Sequence, residues 1–130
     1  GAGFDILSFG LEKDMEDCLF CNFDHHELIE EGKYCYARRD GYPVSEHHTL
    51  IIPKRHVASY FDLEEPELLD MHQMLVKMKA RIEEWDATVS GFNVGVNAGK
   101  DAGQSIFHVH MHLMPRRKGD IENPQGGAVG

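Results

Sequence analysis

The 130-residue sequence lacks any run of eighteen apolar residues, which excludes a membrane-spanning helix. Basic residues are scarce: 13 lysines and arginines stand against 22 aspartates and glutamates, giving a net charge of −9. This charge would repel nucleic acids and anionic membranes, so we expect neither as a partner. Three cysteines, an odd number, do not make the disulfide framework of a secreted protein, and they favour a reducing, cytoplasmic location.

No repeat or low-complexity segment divides the chain. Its length suits one domain with its own hydrophobic core, which we place at residues 1–130. Within this domain we expect a flexible N-terminal segment over residues 1–10, a short helix in the stretch up to Asp17, and an extended C-terminal tail over residues 117–130.

Hydrophobic periodicity predicts several strands and one long helix. Pro66 between two glutamates is typical of a helix start, and an apolar stripe at steps of three and four continues to about Trp85. Strands are predicted over residues 33–39, 49–52, 92–96 and 106–114. Strands that do not alternate with helices indicate an α+β fold with an antiparallel sheet.

Three histidines on alternate residues form the most informative pattern of the chain. In a strand, His108, His110 and His112 would present their imidazoles on one face. The other face would point into the core with the apolar side chains Phe107, Val109, Met111 and Leu113. Because imidazole can act as nucleophile, acid, base or metal ligand near neutral pH, this pattern predicts a functional site.

Two further motifs carry chemistry. A glycine-containing loop runs from Asn97 to Ser105, directly before the histidines. Its backbone N–H groups can approach an anion, and Gln104 adds a neutral polar side chain. We interpret this loop as a phosphate cradle. Upstream, Cys18 and Cys21 have the two-residue gap with which two thiolates can bind one Zn²⁺.

With these motifs the sequence resembles the histidine triad hydrolases, whose signature is His-φ-His-φ-His-φ-φ, with φ apolar. The signature lies at residues 108–114, after Gly103, and the resemblance extends from Cys18 through residues 48–56 and the helix to beyond Pro115. The tail from Pro115 resembles the dinucleoside polyphosphate hydrolases more than the phosphoramidases. The resemblance implies a five-stranded antiparallel sheet, one long helix, a short N-terminal helix and a homodimer.

The resemblance also implies a reaction. His110 would attack the α-phosphorus of a nucleotide, and water would hydrolyse the covalent nucleotidyl-histidine to a nucleoside monophosphate. The implied substrate is a dinucleoside polyphosphate of the diadenosine tetraphosphate kind, with a purine nucleoside phosphoramidate as the alternative. His112, Ser105 and Asn97 would hold the phosphoryl oxygens and the leaving group. A backbone carbonyl or another histidine should orient the ring of His110, and His48 is a candidate for this support.

Nucleotide and metal contacts are implied in the same way. The nucleotide contacts are Asp40 at the ribose, Asn97, Gly103, Gln104 and Ser105 at the phosphate, and Leu19, Phe20 and Phe23 at the base. For Asp40, capping of the turn before Gly41 is an equally good interpretation of the sequence alone. The implied zinc ligands are Cys18, Cys21, His56 and His108, a closed set that would brace the fold and leave no open position for water. Magnesium is a further candidate, as the counter-ion of a polyphosphate substrate.

Two other classes of function stay open on the sequence alone. A nucleotide-binding regulatory module would use the same pocket with slow turnover. A zinc-dependent hydrolase would use the three histidines themselves as a catalytic metal site. The two cysteines favour the closed structural site over this second alternative.

Overall fold

The computed structural model describes residues 17–23 and 27–126 of the chain. These residues form a five-stranded antiparallel sheet and one long helix, α1, at Glu65–Trp85. The strands are β1 at Leu28–Glu31, β2 at Cys35–Arg39, β3 at Thr49–Pro53, β4 at Val89–Val96 and β5 at Met111–Arg117, in the spatial order β1-β2-β3-β5-β4. The predicted fold class is therefore confirmed, whereas the expected N-terminal helix and the segment 1–10 lie outside the described residues.

Helix α1 has the bounds that its sequence predicts. Pro66 occupies the first turn, and the side chain of Glu67 accepts a hydrogen bond from the backbone N–H of Glu64, which closes a capping box. The apolar stripe faces the sheet, where Met71, Met78 and Ile82 are fully buried. Burial of this stripe supplies most of the stability of such a helix.

The four predicted strands differ from their observed bounds, and β1 was not predicted. Strand β2 begins two residues later than predicted, β3 ends one residue later, and β4 begins at Val89 instead of at residue 92. Strand β5 begins at Met111, five residues after the predicted start, and continues through Pro115. Proline is tolerated there because β3 pairs with β5 only as far as Leu113, so the missing N–H of Pro115 faces no ladder partner on that side.

Both faces of β2 and β3 are buried, with alternate side chains in two hydrophobic clusters. Cys35, Ala37 and Ile51 pack against α1. Tyr36, Leu50 and Ile52 point to the other face, where Cys18 and Phe20 cover them. Segment 17–23 thus covers β2 and β3 on the face away from α1, and it brings the cysteines to the candidate site.

Among the described strands, β1 and β4 lie at the edges of the sheet. A further 3₁₀ turn at Pro124–Gly126 follows β5 in the C-terminal tail. Within the described part of the chain, α1 and the 3₁₀ turns are too short or too polar to cross a bilayer. The homodimer and the cytoplasmic location stay predictions.

Candidate active site

The three histidines lie where β5 begins, and Val109 and Leu113 between and after them are buried against α1. The expectation that Phe107 joins this core is wrong, since its side chain is 48% exposed. Residues 107–110 precede β5, and the N–H of Val109 donates to the carbonyl of Val57 at 2.9 Å. Phe107 therefore lies outside the paired strand, where successive side chains need not alternate between the two faces.

His108 belongs to a cluster of four potential metal ligands. Its Nδ1 lies 3.3 Å from Sγ of Cys18 and 3.4 Å from Sγ of Cys21, and Nδ1 of His56 lies 3.1 Å from the second thiol. A tetrahedral zinc ion would hold such ligand atoms about 3.5 Å apart. The four ligand atoms, which lie within 4.8 Å of one another, therefore fit zinc in number, type and spacing.

The protonation of this cluster also fits a metal. The Nε2–H of His108 donates to the carbonyl of Pro53 at 2.7 Å, which leaves its Nδ1 unprotonated towards the thiols. Burial and the neighbouring Cys18 raise the pKa of the Cys21 thiol to about 12, so a metal ion would displace its proton on binding. Zinc bound by these residues would join segment 17–23 to the loop before β5.

His110 is held by a backbone carbonyl. Its Nδ1–H donates to the carbonyl oxygen of His108 at 2.9 Å, so its Nε2 keeps a free lone pair. The ring is 9% exposed and packs on Phe20, with ring centroids 5.1 Å apart. Of the two supports expected for this ring, the backbone carbonyl is confirmed, whereas His48 is wrong, because the ring of His48 bonds to His112 instead.

A short relay of hydrogen bonds sets the tautomer of His112. Nδ1 of His48 accepts from the N–H of Val44 at 3.1 Å, so the proton of His48 is on Nε2. That Nε2–H donates to Nδ1 of His112 at 2.9 Å. His112 therefore carries its own proton on Nε2, as a hydrogen-bond donor. Burial is the main cause that lowers the pKa of His112 to about 4. The neighbouring His110 and His48 also lower it, whereas the negative charge of Asp40 raises it. The hydrogen-bond donor is therefore neutral at pH 7.

The same relay argues against a second metal site. The ligand atoms of Asp40, His48 and His112 lie within 4.8 Å of one another, a spacing at which a cation could bind. A metal on Nε2 of His48 would force the proton onto Nδ1, where it would meet the N–H of Val44. Because the three triad histidines bond to three different partners, they do not form the catalytic zinc site that stayed open on the sequence.

The loop before the histidines has the expected glycine conformations. Gly99 and Gly103 have φ of 103° and 94°, in the region that favours glycine. Asn97 and Ser105 are exposed at its surface. A cleft of about 530 Å³ opens beside Ser105, and Leu19 contributes to its lining. This volume is typical of a small-molecule pocket, but the lining of the cleft includes neither His110 nor His112.

Gln104 does not present its amide to the cleft. The side chain is 5% exposed, and its Nε2 donates to the carbonyls of Ala58 and Ile106 at 2.7 and 3.1 Å. Its Oε1 accepts the N–H of Gly99 at 2.9 Å. With these bonds Gln104 holds the loop in shape, which corrects the expectation of a direct nucleotide contact. From the sequence alone, a glutamine at this position is compatible both with holding the loop and with contacting the nucleotide.

The remaining nucleotide contacts stay predictions. One oxygen of Asp40 accepts the N–H of Tyr42 at 2.8 Å, as the turn-capping alternative requires, while the other lies 3.4 Å from Nε2 of His48. Of the three expected base contacts, Leu19 is exposed, Phe20 is 3% exposed, and Phe23 packs on Tyr36. The contact of Phe20 with His110 was not predicted, although the position of Phe20 between the two cysteines could have indicated it.

Comparison with known proteins agrees with this geometry. The protein-family model of the histidine triad (HIT) domain matches residues 24–119. The adenosine 5'-monophosphoramidase of Saccharomyces cerevisiae is 38% identical over 104 residues, which cover 77% of this chain and 63% of the yeast protein. A zinc-bound histidine triad protein from Mycobacterium smegmatis has 30% identity, a TM-score of 0.73, and coverage of 82% of this chain and 79% of its own.

A second solved structure is the diadenosine triphosphate hydrolase of Plasmodium falciparum, in complex with cyclomarin A. It has 27% identity and a TM-score of 0.71, and the match covers 80% of this chain and 70% of that one. The family model spans most of the chain, and the named relatives include two enzymes that act on nucleotides. The chain therefore belongs to the HIT family and is a nucleotide hydrolase of this family.

Proposed function

We propose that this chain cleaves a dinucleoside polyphosphate at its α-phosphorus through a covalent nucleotidyl-His110. The observation that carries the proposal is the tautomer of His110, whose Nδ1–H is bonded to a carbonyl while Nε2 keeps its lone pair. A neutral imidazole in this state is a competent nucleophile without a separate general base.

In the first step the lone pair of Nε2 on His110 forms a bond to the α-phosphorus, and the bond from phosphorus to the leaving oxygen breaks. The leaving group departs with that electron pair. His112, with its proton on Nε2, donates a hydrogen bond to the phosphoryl group or the leaving oxygen, where negative charge develops. Ser105 and Asn97 add neutral donors at the exposed surface of the loop.

In the second step water attacks the same phosphorus and the P–N bond breaks. The electron pair returns to Nε2 of His110, the water proton is released, and a nucleoside monophosphate leaves. Throughout both steps the carbonyl of His108 accepts from Nδ1–H of His110 and stabilises the positive charge that the nucleotidylated ring carries. Zinc on the four-ligand cluster would fix the position of this carbonyl, and its closed ligand set leaves water activation to other groups.

The leaving group distinguishes the two candidate substrates. The structural relative from Plasmodium falciparum is a diadenosine triphosphate hydrolase, and this supports a phosphoric anhydride as the substrate. The yeast relative is an adenosine 5'-monophosphoramidase, and this supports the alternative, a purine nucleoside phosphoramidate. Both substrates have an α-phosphorus and would pass through the same nucleotidyl-His110. Magnesium, as the counter-ion of a polyphosphate, stays a prediction.

A substrate panel with product identification tests the proposal. Diadenosine tetraphosphate, diadenosine triphosphate and adenosine phosphoramidate are given to the wild-type protein, and to His110→Ala and His72→Ala variants. We expect AMP from the wild type and from His72→Ala, whose replaced side chain is exposed on α1. The His110→Ala variant should release none, and mass spectrometry of acid-quenched wild type should find the nucleotide on His110.

Full activity of His110→Ala would contradict the nucleophile. Turnover much slower than substrate dissociation would favour the nucleotide-binding regulatory module. Activity that survives complete metal removal in a still-folded protein would exclude the zinc-dependent hydrolase.

A further inference from the structure

The CxxC motif carries a phenylalanine to the ring of the nucleophile. Phe20 stands between Cys18 and Cys21, the two thiols of the four-ligand cluster. Its ring centroid lies 5.1 Å from that of His110, with the two planes inclined at 56°. The same ring forms a T-shaped pair with His108, with ring centroids 6.0 Å apart and an interplanar angle of 88°. One aromatic side chain therefore contacts both the nucleophile and a residue of the cluster.

Phe20 is itself firmly placed. Its carbonyl oxygen accepts the phenolic O–H of Tyr36 at 2.7 Å, and the side chain is 3% exposed. The guanidinium of Arg38 lies 5.8 Å from its ring centroid. A side chain so enclosed has little surface to offer a nucleobase, whereas it is well placed to restrict the ring of His110.

A single hydrogen bond does not fix an imidazole plane. The bond from Nδ1 of His110 to the carbonyl of His108 holds one atom, and the ring can still tilt about that atom. Packing against the ring of Phe20 restricts this tilt. The direction of the Nε2 lone pair, on which in-line attack depends, is therefore determined by both contacts together.

We propose that Phe20 is a positioning residue for the nucleophile, and that the four-ligand cluster holds His110 from two sides. On one side, His108 offers its ring to the cluster and its carbonyl to Nδ1 of His110. On the other side, the two cysteines would hold the short segment between them, whose Phe20 packs against the ring of His110. The inference rests on the proposed function of His110 as nucleophile and assigns Phe20 a role other than the expected base contact.

Rapid-quench kinetics with Phe20→Leu test this role. Leucine keeps an apolar side chain of similar reach but removes the aromatic face. We expect the rate constant for nucleotidyl-enzyme formation to fall about tenfold, while the burst amplitude per chain and the Kd for AMP stay at the wild-type values. A base contact would instead raise the Kd for AMP and leave the rate constant of the first step unchanged.

The matched control is Phe92→Leu. Phe92 packs against the hydrophobic cluster under α1, away from the histidines, so its replacement reports a general loss of stability. We expect this variant to form the nucleotidyl-enzyme at the wild-type rate. The metal content of each protein is measured in the same preparations, and Phe20→Leu should keep its full content because all four ligands remain.

A spectroscopic measurement tests the same role without substrate. Nitrogen-15 NMR of the imidazoles reports how completely the proton of His110 resides on Nδ1. We expect weaker Nδ1 protonation and a broader His110 signal in Phe20→Leu. The same change, at least as large, should follow when zinc is removed from the wild type, because the four-ligand cluster then holds neither side of the ring.

The outcomes separate the two proposals. If the wild type forms no nucleotidyl-His110, the proposed function fails, and the NMR comparison still decides the role of Phe20. If the wild type forms it and Phe20→Leu does so equally fast, with an unchanged His110 signal, the positioning role is overturned. A raised Kd for AMP with an unchanged first step would return Phe20 to the nucleobase.

Discussion

Backbone groups fix the tautomers of the histidines at the candidate site. The carbonyl of Pro53 accepts from Nε2–H of His108, and the carbonyl of His108 accepts from Nδ1–H of His110. The N–H of Val44 places the proton of His48 on the nitrogen that faces His112. Each bond leaves the other ring nitrogen free for a separate task, so identical side chains acquire different chemistry from their backbone neighbours.

The buried neutral state of His112 predicts how stability depends on pH. Its folded-state pKa of about 4 lies below the value near 6.5 expected in the unfolded chain. At pH values between these two pKa values the unfolded chain binds more protons than the folded chain. The free energy of unfolding therefore falls as the pH decreases from 6.5 towards 4, and His112 does not lower it above pH 6.5. In His112→Asn we expect the difference between pH 7 and pH 4.5 to shrink by about 2 kcal/mol.

Urea unfolding at the two pH values measures this difference. The metal cluster is present in both proteins, so its contribution largely cancels in the comparison, and the measured difference reports His112 together with Asp40 and His48, which contact it. His72→Asn, on the exposed face of α1, is the control. Equal pH dependence of His112→Asn and the wild type would show that His112 is not held neutral by the fold.

His47 has a backbone conformation that favours glycine. It has a φ of 71°, and it is the one non-glycine residue with positive φ in the described part of the chain. Its ring lies near Trp85 and Arg39, and these contacts are lost in both His47→Gly and His47→Ala. The two variants therefore differ mainly in backbone strain, and we expect the glycine variant to be more stable by about 1 kcal/mol.

Thermal and urea unfolding of the two His47 variants provide the measurement. The comparison is internal, because each variant lacks the imidazole and neither adds a new polar group. An alanine variant as stable as the glycine variant would mean that the turn before β3 relaxes out of the left-handed conformation.

At the scale of elements, local signals predict α1 well and the strands less well. The helix has proline, acidic residues and a long apolar stripe within its own sequence. Strand β1 was missed because it is short and two of its four residues are glutamates, one of which pairs with Arg81 of α1. The start of β5 depends on where β3 and β4 offer partners, and this information lies in distant parts of the chain.

The start of α1 depends on a buried carboxylate. Glu67 is 5% exposed, caps the N–H of Glu64, and accepts two hydrogen bonds from the guanidinium of Arg55, at 2.8 and 3.1 Å. These bonds hold the pKa of Glu67 below its usual range. We expect Glu67→Ala to lower the free energy of unfolding by about 2 kcal/mol, since both the cap and the ion pair are lost.

Equilibrium unfolding in urea at pH 7 checks this loss. Glu67→Gln keeps an oxygen for the cap but removes the charge that Arg55 neutralises, so we expect an intermediate stability. Glu84→Ala, at an exposed position near the other end of α1, is the control for loss of a surface carboxylate. Equal stability of Glu67→Ala and Glu84→Ala would contradict the role of Glu67.

At the scale of the whole molecule, the site is assembled from parts that are far apart in the sequence. Cys18 and His108 are 90 residues apart, and His48 and His112 are 64 residues apart. The resemblance predicted that these residues belong to one site, and the structure brings both pairs together. It did not predict that His48 serves His112, that Gln104 holds the loop, or that Phe20 meets His110, since each depends on where side chains pack in three dimensions.

Segment 17–23 covers the face of β2 and β3 that points away from α1, and the four-ligand cluster connects this segment to His56 and His108. Because metal binding to the folded chain alone adds its binding free energy to stability, zinc at a thousand times its Kd would contribute about 4 kcal/mol. We therefore expect a strong chelator to lower the urea midpoint of the wild type. Cys18→Ser should have a similarly low midpoint that the chelator no longer changes.

The third cysteine offers a matched control for this experiment. The thiol of Cys35 is fully buried under α1 and donates to Asp70 at 3.2 Å, on the opposite face of the sheet from the cluster. Cys35→Ala should lose stability from its own packing and hydrogen bond, yet keep the full response to the chelator. If the wild type instead unfolds at the same urea concentration with and without the chelator, the cover over this face is held by Phe20, Tyr36 and their apolar neighbours, and zinc contributes nothing to it.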